Sequence, residues 1–263
     1  LDFKVGLDKV GIELLMVPVP PKAVVYPDML DSTLQVGMGE SMMRFDPVHQ
    51  QFYKLLQDKG ITVLDLVPAF TAARFDGKGD PYCKQDSHWS GRGCEITARH
   101  IVKTLKGKAW LEAVTKQPWD TQTGELQLSG DLWKAVNGEK PKQETLALRF
   151  VGKKDSGRLQ PVTPDKNSPV ILMGDSHTLV FQAGEDMHAR GAGLADQLAR
   201  ELGFAVDLIG VRGSGATPTR ITLFRRARSD ANYLKNKKLL IWCFSAREFT
   251  EAVTGWRKVP VVK

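Results

Sequence analysis

The sequence predicts an α/β fold in three layers, with helices on both faces of a mostly parallel sheet. Short apolar runs alternate along the chain with segments whose apolar residues recur at helical spacing. Prolines and glycines fall at the ends of these segments. The 263 residues are 42% hydrophobic and 25% charged, which is typical of a globular chain and excludes wholesale disorder. No apolar run approaches the roughly 18 residues that span a bilayer.

The first part of the chain contains two predicted strands joined by a helix. Residues 12–17 form an apolar run that ends at Pro18, which predicts the first strand. Asp46–Pro47 predicts the start of a helix, with the aspartate as its cap, and Gly60 predicts its end. Residues 61–67 are the second predicted strand.

A helix follows, and then the pattern weakens. Ser90 is its expected cap, and Gly107 predicts its end. Residues 108–168 hold three tryptophans among many polar residues. We expect an insertion or cap here, within one catalytic domain that covers residues 1–263.

The second half supplies three more strands. Apolar runs predict them at residues 170–173, 204–209 and 239–244, with helices over 194–202 and 218–228. In such a fold ligands bind at the carboxyl ends of the strands. The segments that follow the five strands are 18–22, 65–70, 174–177, 212–215 and 245–248.

The charge balance is moderately basic. Lysine and arginine number 37 against 30 acidic residues, a formal net charge of +7. A positive excess of this size either keeps the protein soluble or attracts an acidic partner, such as nucleic acid, a membrane surface or an anionic polysaccharide. The basic clusters at 225–228 and 235–238 lack interleaved aromatic residues, and no zinc-finger or homeodomain pattern is present. We therefore expect no nucleic-acid partner.

Three cysteines are present. Cys243 lies in an apolar run and is expected to be an inert core thiol. Cys83 and Cys94 bracket a short polar segment, and a disulfide between them would indicate an oxidising compartment. The alternatives are free thiols or a metal site with Asp86 and His88. Because the C-x₂-C pairing of zinc sites is absent, we expect no metal.

The segment Gly-Asp-Ser-His at residues 174–177 directly follows the third predicted strand. A serine at such a turn is exposed at the sheet edge, and its backbone N–H lies at a helix N-terminus, which favours negative charge. A nucleophile whose reaction develops an oxyanion needs this environment. Ser176 is therefore the candidate nucleophile, and a simple helix cap is the structural alternative.

Asp86 and His88 form the second candidate group. An imidazole base needs a carboxylate that holds its tautomer and stabilises its charged form, and an aspartate two residues away on a turn can do this. His177 is the rival base, but adjacent residues at a helix start point apart, so we favour His88. Trp89 either offers a face to a sugar ring or lies in the core.

The oxyanion needs a second donor. Gly213 and Gly215 lie in a glycine-rich turn after the fourth strand, where backbone N–H groups are available. This turn lacks the full G-x-G-x-x-G spacing, so a dinucleotide site is not expected. Arg247, in the segment after the fifth strand, joins Trp89 as a candidate substrate-binding residue.

These segments together resemble a known family. Gly-Asp-Ser at 174–176 looks like the nucleophile block of the SGNH hydrolases, and the Asp-x-His-Trp-Ser segment before it resembles the SGNH-like alginate O-acetyltransferases of the AlgX and AlgJ type. Residues 82–90 resemble that family's Tyr-x-Lys-x-Asp-Thr-His-Trp-Thr signature. Residues 17–22 with Tyr26–Pro27 resemble its first strand and turn, and residues 60–66 its second strand.

The resemblance implies a flavodoxin-like SGNH domain with a circularly permuted order of motifs. It makes Ser176 the nucleophile, His88 the base and Asp86 the partner that orients it. The Gly-x-Asn-Asp block of ordinary SGNH hydrolases is missing, so the asparagine oxyanion donor of those enzymes has no counterpart assigned here. The single-domain AlgJ-like arrangement is the closer match.

The resemblance also implies a function. We expect a serine-dependent O-acetyltransferase that needs no cofactor and acts on an exported polysaccharide, alginate or another exopolysaccharide. Its acetyl donor partner is expected to be a membrane-bound acyltransferase. The chain opens Leu-Asp-Phe-Lys, without a leader, as a trimmed or mature form does. We expect a periplasmic location, with inner-membrane anchoring by an N-terminal segment that precedes residue 1.

Two other functions stay open at this point. A carbohydrate acetylesterase uses the same triad, and water instead of a sugar hydroxyl attacks the acyl-enzyme. A non-catalytic polysaccharide-binding protein fits the basic charge and the tryptophans of 108–168, but it leaves the Asp-x-His and Gly-Asp-Ser segments unexplained.

Overall fold

A computed structural model describes residues 1–37, 42–136 and 143–262. The strands in these ranges are β1 (Glu13–Val19), β2 (Thr62–Val63), β3 (Asp120–Leu128), β4 (Glu144–Asp155), β5 (Arg158–Pro161), β6 (Val170–Gly174), β7 (Asp207–Gly210) and β8 (Leu239–Ser245). The α-helices are α1 (Asp2–Asp8), α2 (Lys22–Val25), α3 (Pro47–Asp58), α4 (Val67–Ala73), α5 (Gly91–Thr104), α6 (Ala109–Glu112), α7 (Asp131–Lys134), α8 (Leu194–Leu202), α9 (Thr217–Ser229) and α10 (Glu248–Glu251).

The larger sheet has the strand order β2-β1-β8-β6-β7, and all its pairs are parallel. The last strand of the chain, β8, is central, and its Ile241 pairs with Leu15 on one side and Leu172 on the other. Central strands of a parallel sheet are buried on both faces, which explains their continuous apolar sequences. The predicted α/β fold is confirmed.

The sheet separates two apolar cores. Neighbouring residues of a strand point to opposite faces, so Leu172 packs in one core with Leu198 of α8, and Ile171 packs in the other with Leu223 of α9. Helices α5 and α8 cover the first face, and α1, α3 and α9 cover the second. This arrangement gives the three predicted layers.

Residues 108–168 contain a small antiparallel sheet in the order β3-β4-β5, together with α6 and α7. Residues 137–142 of this segment lie outside the described residues. Leu148 of β4 is fully buried against α5, where a Cβ on Gly91 would lie 2.6 Å from its Cδ2. The segment is therefore packed onto the helical layer that covers the first face.

Two local predictions have different outcomes. The Ser90 cap is confirmed, because its Oγ accepts from the N–H of Gly93 at 3.2 Å. Asp46 occupies the predicted N-cap position before Pro47, but its expected side-chain cap bond is not made, because the carboxylate binds the guanidinium of Arg44 at 2.7 Å. The second predicted strand is shortened to Thr62–Val63, since a helix begins at residue 67.

The expected disulfide is not formed. Cys83, Cys94 and Cys243 are free, buried thiols. The Sγ of Cys83 donates to the carbonyl of Trp89 at 3.4 Å, and Cys94 lies in the first turns of α5 in the apolar core. Burial raises the pKa of both thiols well above their usual range, so both are protonated.

Within the described ranges, no helix combines the length and apolar character that crossing a membrane requires.

Candidate active site

Ser176 begins a single turn of 3₁₀-helix, Ser176–Thr178, immediately after β6. The end of β6 lies very close to β8: a Cβ on Gly174 would be 1.7 Å from the carbonyl oxygen of Cys243. Glycine is therefore required before the candidate nucleophile. Ser176 itself is half-buried at the carboxyl end of the sheet.

Asp86 and His88 lie on a polar turn, residues 84–88, which we call the Asp–His turn. The Nδ1 of His88 lies 2.6 Å from Oδ1 of Asp86, and its Nε2 lies 2.8 Å from Oγ of Ser176. The structure thus brings the three sequence-predicted residues into one hydrogen-bonded chain. This is the geometry of a nucleophile, a base and an orienting carboxylate.

The carboxylate of Asp86 is almost completely buried, with 2% of the residue exposed. Burial by itself raises its pKa, but hydrogen bonds from His188 and His88 outweigh burial and hold the pKa far below its usual range. The ionised carboxylate accepts from Nδ1–H of His88, which leaves Nε2 free to accept the proton of Ser176.

A second histidine–aspartate pair lies directly behind Ser176. The Nδ1 of His177 is 3.0 Å from Oδ1 of Asp175, and Oδ2 of Asp175 accepts from the backbone N–H of Ser245 at 2.7 Å. Burial raises the pKa of Asp175, but the charge and hydrogen bonds of His177 and the N–H of Ser245 lower it below its usual value. Asp175 therefore ties the ends of β6 and β8 together and holds the ring of His177, and His88 is the imidazole that contacts Ser176.

The inserted segment contacts the Asp–His turn directly. The backbone N–H of Asp131 donates to Oδ2 of Asp86 at 3.2 Å, and Oδ1 of Asp131 accepts from the N–H of Ser87 at 2.6 Å. The carboxylate of Glu144 accepts from the N–H groups of Lys84 and Gln85, at 2.7 and 2.9 Å. Sequence reasoning missed both acidic residues, because they lie 44 and 60 positions after their partners.

Lys22 also holds the Asp–His turn. Its Nζ donates to the carbonyls of Cys83 and Asp86 at 2.6 and 3.1 Å. Burial lowers the pKa of Lys22, while the carboxylates around it act in the opposite direction. Side chains from α2 and from the insertion together fix the turn that carries Asp86 and His88.

Comparison with protein-family models shows which family this chain belongs to. The model for the SGNH hydrolase-like domain of the acetyltransferase AlgX matches residues 2–246. The chain belongs to this AlgX-type SGNH hydrolase-like family.

Curated relatives agree with this AlgX-type assignment. "Probable alginate O-acetylase AlgJ" of Pseudomonas fluorescens is 26% identical over 243 residues, which are 90% of this chain and 57% of that protein. "Alginate biosynthesis protein AlgX" of Pseudomonas putida is 24% identical over 262 residues, which are 95% of this chain and 51% of that protein. The chain thus spans little more than half the length of these relatives.

Solved structures show the same fold. The O-acetyltransferase domain of Pseudomonas putida AlgJ superimposes with a TM-score of 0.69 at 21% identity, covering 95% of this chain and 80% of that one. Pseudomonas aeruginosa AlgX superimposes with a TM-score of 0.64 at 20% identity, covering 92% of this chain and 54% of that one.

In this AlgX-type domain the glycine turn lies beside the nucleophile. A Cβ on Gly215 would lie 3.0 Å from the backbone nitrogen of Asp175, but the N–H of Gly215 donates to Oε1 of Glu248 at 3.2 Å. Gly213 has a φ of +88°, and its carbonyl accepts from Arg247 at 2.9 Å. Arg247 is exposed and holds the turn in place.

The expectation that Trp89 offers a face to a sugar is wrong. Its side chain is fully buried, with its ring centre 6.4 Å from that of Phe70 and 5.3 Å from that of His177. Trp89 is therefore a core residue behind the site, because the turn that exposes His88 directs the next side chain inward.

Three potential metal ligands lie close together in the site. Ligand atoms of Asp86, His88 and Asp131 are all within 4.8 Å of one another. The carboxylate oxygens already accept hydrogen bonds from His88, His188, Ser87 and the backbone of Asp131. These donors account for the acidic cluster, so its geometry gives no reason to invoke a cation.

Proposed function

We propose that this chain transfers acetyl groups to hydroxyl groups of an exported polysaccharide through an acetyl-Ser176 intermediate. The observation that carries the proposal is the continuous chain of contacts Asp86–His88–Ser176, with distances of 2.6 and 2.8 Å, in a domain of the AlgX-type family. This arrangement activates a serine hydroxyl, which is the group that acyl transfer needs.

The first half-reaction forms the acetyl-enzyme. Nε2 of His88 takes the proton of Ser176 while Oγ attacks the acetyl carbonyl carbon, and Asp86 stabilises the resulting imidazolium. The tetrahedral intermediate then expels the donor's leaving group, which takes the proton from His88. The bond between the acetyl carbon and its former carrier breaks as the ester to Ser176 forms.

The second half-reaction regenerates the serine. A sugar hydroxyl attacks the acetyl-Ser176 carbonyl while His88 takes its proton, and the collapse of the intermediate returns that proton to Ser176. The product is an acetylated sugar and free enzyme. Each step uses Nε2 of His88 as the proton carrier.

The oxyanion is assigned to the backbone N–H of Ser176. For this N–H no hydrogen-bond acceptor is found among the described residues, and it lies at the start of a helical turn. Gly213 is the candidate second donor, because the N–H of Gly215 is bound to Glu248.

The proposal also covers the acceptor of the acetyl group, its donor and the compartment in which transfer takes place. One relative is named as a probable alginate O-acetylase and another as an alginate biosynthesis protein, and the net charge of +7 suits an anionic polysaccharide such as alginate. A membrane-bound acyltransferase supplies the acetyl group, and transfer takes place in the periplasm. Residues 1–263 act as one catalytic domain in which 108–168 supports the Asp–His turn.

The test uses a chromogenic aryl acetate as the acetyl donor, in the presence and absence of a polysaccharide acceptor. Release of the chromophore reports ester cleavage, and mass spectrometry of the polymer reports acetyl transfer. Ser176→Ala is compared with Ser229→Ala, which changes an exposed serine at the end of α9. Acetylated polymer with wild type and Ser229→Ala, and none with Ser176→Ala, is expected. Ser176-dependent cleavage with water as the sole acceptor would instead indicate an esterase. Full activity of Ser176→Ala would overturn the proposal.

A further inference from the structure

His188 places a second imidazole on the carboxylate of Asp86. Its Nε2 lies 3.0 Å from Oδ2, whereas Nδ1 of His88 contacts Oδ1. A carboxylate oxygen only accepts, so Nε2 of His188 must carry a proton in this contact. Two imidazoles from segments 100 positions apart therefore donate to the two oxygens of one carboxylate.

The backbone around His188 is strained in the way that functional sites often are. His188 has a φ of +72°, and Phe181 and Glu185 in the same segment have φ values of +59° and +54°. Non-glycine residues rarely adopt this region. The ring of His188 is packed beside Phe181, with ring centres 6.0 Å apart. The fold thus maintains an unfavourable backbone conformation that brings this ring to Asp86.

The surroundings of Asp86 are charged on several sides. Asp186, close to His188, is paired with Arg212 at 2.6 Å. The ring of His177, which is bound to Asp175, lies 4.9 Å from the ring of His88. The titratable groups near the Asp86 carboxylate are His88, His188, Asp131, Lys22 and Cys83. Of these, His88 and His188 bond to the carboxylate through their side chains.

We propose that His188 is a positioning residue, which holds Asp86 in the orientation that His88 needs and takes up part of its negative charge. The inference rests on the proposed function. With both oxygens bound, the carboxylate cannot rotate away from Nδ1 of His88. Donation from His188 also reduces the negative charge that Asp86 presents to His88, and that charge stabilises the imidazolium formed during transfer.

The test compares His188→Met with His188→Gln. Both variants lose the aromatic ring and keep a flexible side chain at the same strained backbone position. Gln retains an N–H donor that can reach Asp86, and Met does not. Any difference between the two variants therefore reports the hydrogen bond and not the ring.

Two readouts are needed. The first is the pH profile of kcat and kcat/KM for aryl acetate cleavage between about pH 5 and 9. The second is the NMR titration midpoint of the His88 ring in protein with labelled histidine, which requires no turnover. In His188→Met we expect kcat to fall about tenfold with little change in KM. The acid limb and the His88 midpoint should both move up by about half a unit to one unit.

His188→Gln should show less than half of each change. Equal impairment of both variants, or an unchanged His88 midpoint in His188→Met, would overturn the inference. Ser176→Ala separates this outcome from failure of the proposed function. Retained activity in Ser176→Ala would reject the acetyl-serine mechanism. The NMR titration midpoint of His88 in His188→Met would still test the role of His188, because it requires no turnover.

Discussion

The backbone N–H of Asp131 donates to Oδ2 of Asp86 at 3.2 Å, across 45 positions of the chain. The carboxylate of the same Asp131 accepts from the backbone N–H of Ser87 at 2.6 Å. The inserted segment is thus bonded to both the backbone of the Asp–His turn and the side chain that orients His88. We interpret the insertion as a support for the base and not as a separate module.

Asp131→Ala should lower kcat for acetyl-ester cleavage about tenfold. The variant removes the acceptor for the N–H and the hydroxyl of Ser87, so the Asp–His turn loses its fixed position. KM for a small ester should change little, because Asp131 contacts the turn and not the ester. Asp155→Ala is the matched control, since it removes an exposed aspartate at the end of β4 in the same segment. Equal kcat in the two variants would contradict the supporting role.

Gly130→Ala tests the same contact by steric means. The φ of Gly130 is −78°, which alanine adopts freely, but a Cβ there would lie 2.1 Å from the carbonyl oxygen of Gln85 and 2.5 Å from Cα of Asp86. The turn must therefore move, and we expect a loss of about 1–3 kcal/mol in the free energy of unfolding together with a larger loss of kcat than in Asp131→Ala.

Gly124→Ala is the control for this steric test. The added Cβ would meet the ring of Phe150 at 3.0 Å, and a side chain can yield more easily than backbone. Urea unfolding and steady-state kinetics of both glycine variants provide the measurement. A Gly130→Ala protein with wild-type kcat would show that the insertion does not set the position of Asp86.

The strands of the parallel sheet could be predicted because their apolar character is visible in short stretches of the sequence. Central strands such as β6 and β8 must be apolar on both faces, and the short runs at 170–173 and 239–244 show this directly in the sequence. Ser176 then followed from the rule that ligands bind at strand ends. Its partnership with Asp86 and His88 came from the Asp-x-His spacing together with the family resemblance.

Other features depend on tertiary contacts and left no local pattern. Strand β3 is largely exposed and polar, so its sequence carries no apolar pattern that predicts a strand. Asp46 has the sequence context of a helix cap, but Arg44 competes successfully for its carboxylate. His188 and Asp131 act on Asp86 from 102 and 45 positions away, which no spacing rule detects.

The pH dependence of stability should report the buried carboxylate of Asp175. Its folded-state pKa lies below the ordinary value of 3.8, so ionisation favours the folded protein. This stabilisation is complete above about pH 4 and is lost as the pH falls through the lower folded-state pKa. Asp175→Asn has no charge to lose, so the difference in unfolding free energy between wild type and variant should shrink as the pH is lowered from 6 to 3.

Urea unfolding at several pH values measures this difference. Asp230→Asn, at an exposed position after α9, serves as the control that should follow the wild-type curve within about 0.5 kcal/mol. A constant difference between wild type and Asp175→Asn across the pH range would show that Asp175 is not ionised in the folded protein.

The thiols provide an independent test of the compartment argument. With Cys83, Cys94 and Cys243 free and buried, we expect slow alkylation of the native protein, because the protonated thiol is a poor nucleophile. Under denaturing conditions without reductant, intact mass should increase by three alkyl groups. An increase of a single group would restore the Cys83–Cys94 bridge and the oxidising compartment that it indicates.

Trp89→Phe separates a core role from a sugar-binding role. The indole is fully buried between Phe70 and His177, so a smaller ring leaves a cavity and should lower the free energy of unfolding by about 1–3 kcal/mol. KM for a polysaccharide acceptor should stay within about twofold of wild type, because a buried ring has no face to offer a sugar. Denaturant unfolding and acceptor kinetics measure the two effects separately. A large rise in KM with unchanged stability would mean that the ring becomes exposed when the acceptor binds, and it would return Trp89 to the substrate-binding residues.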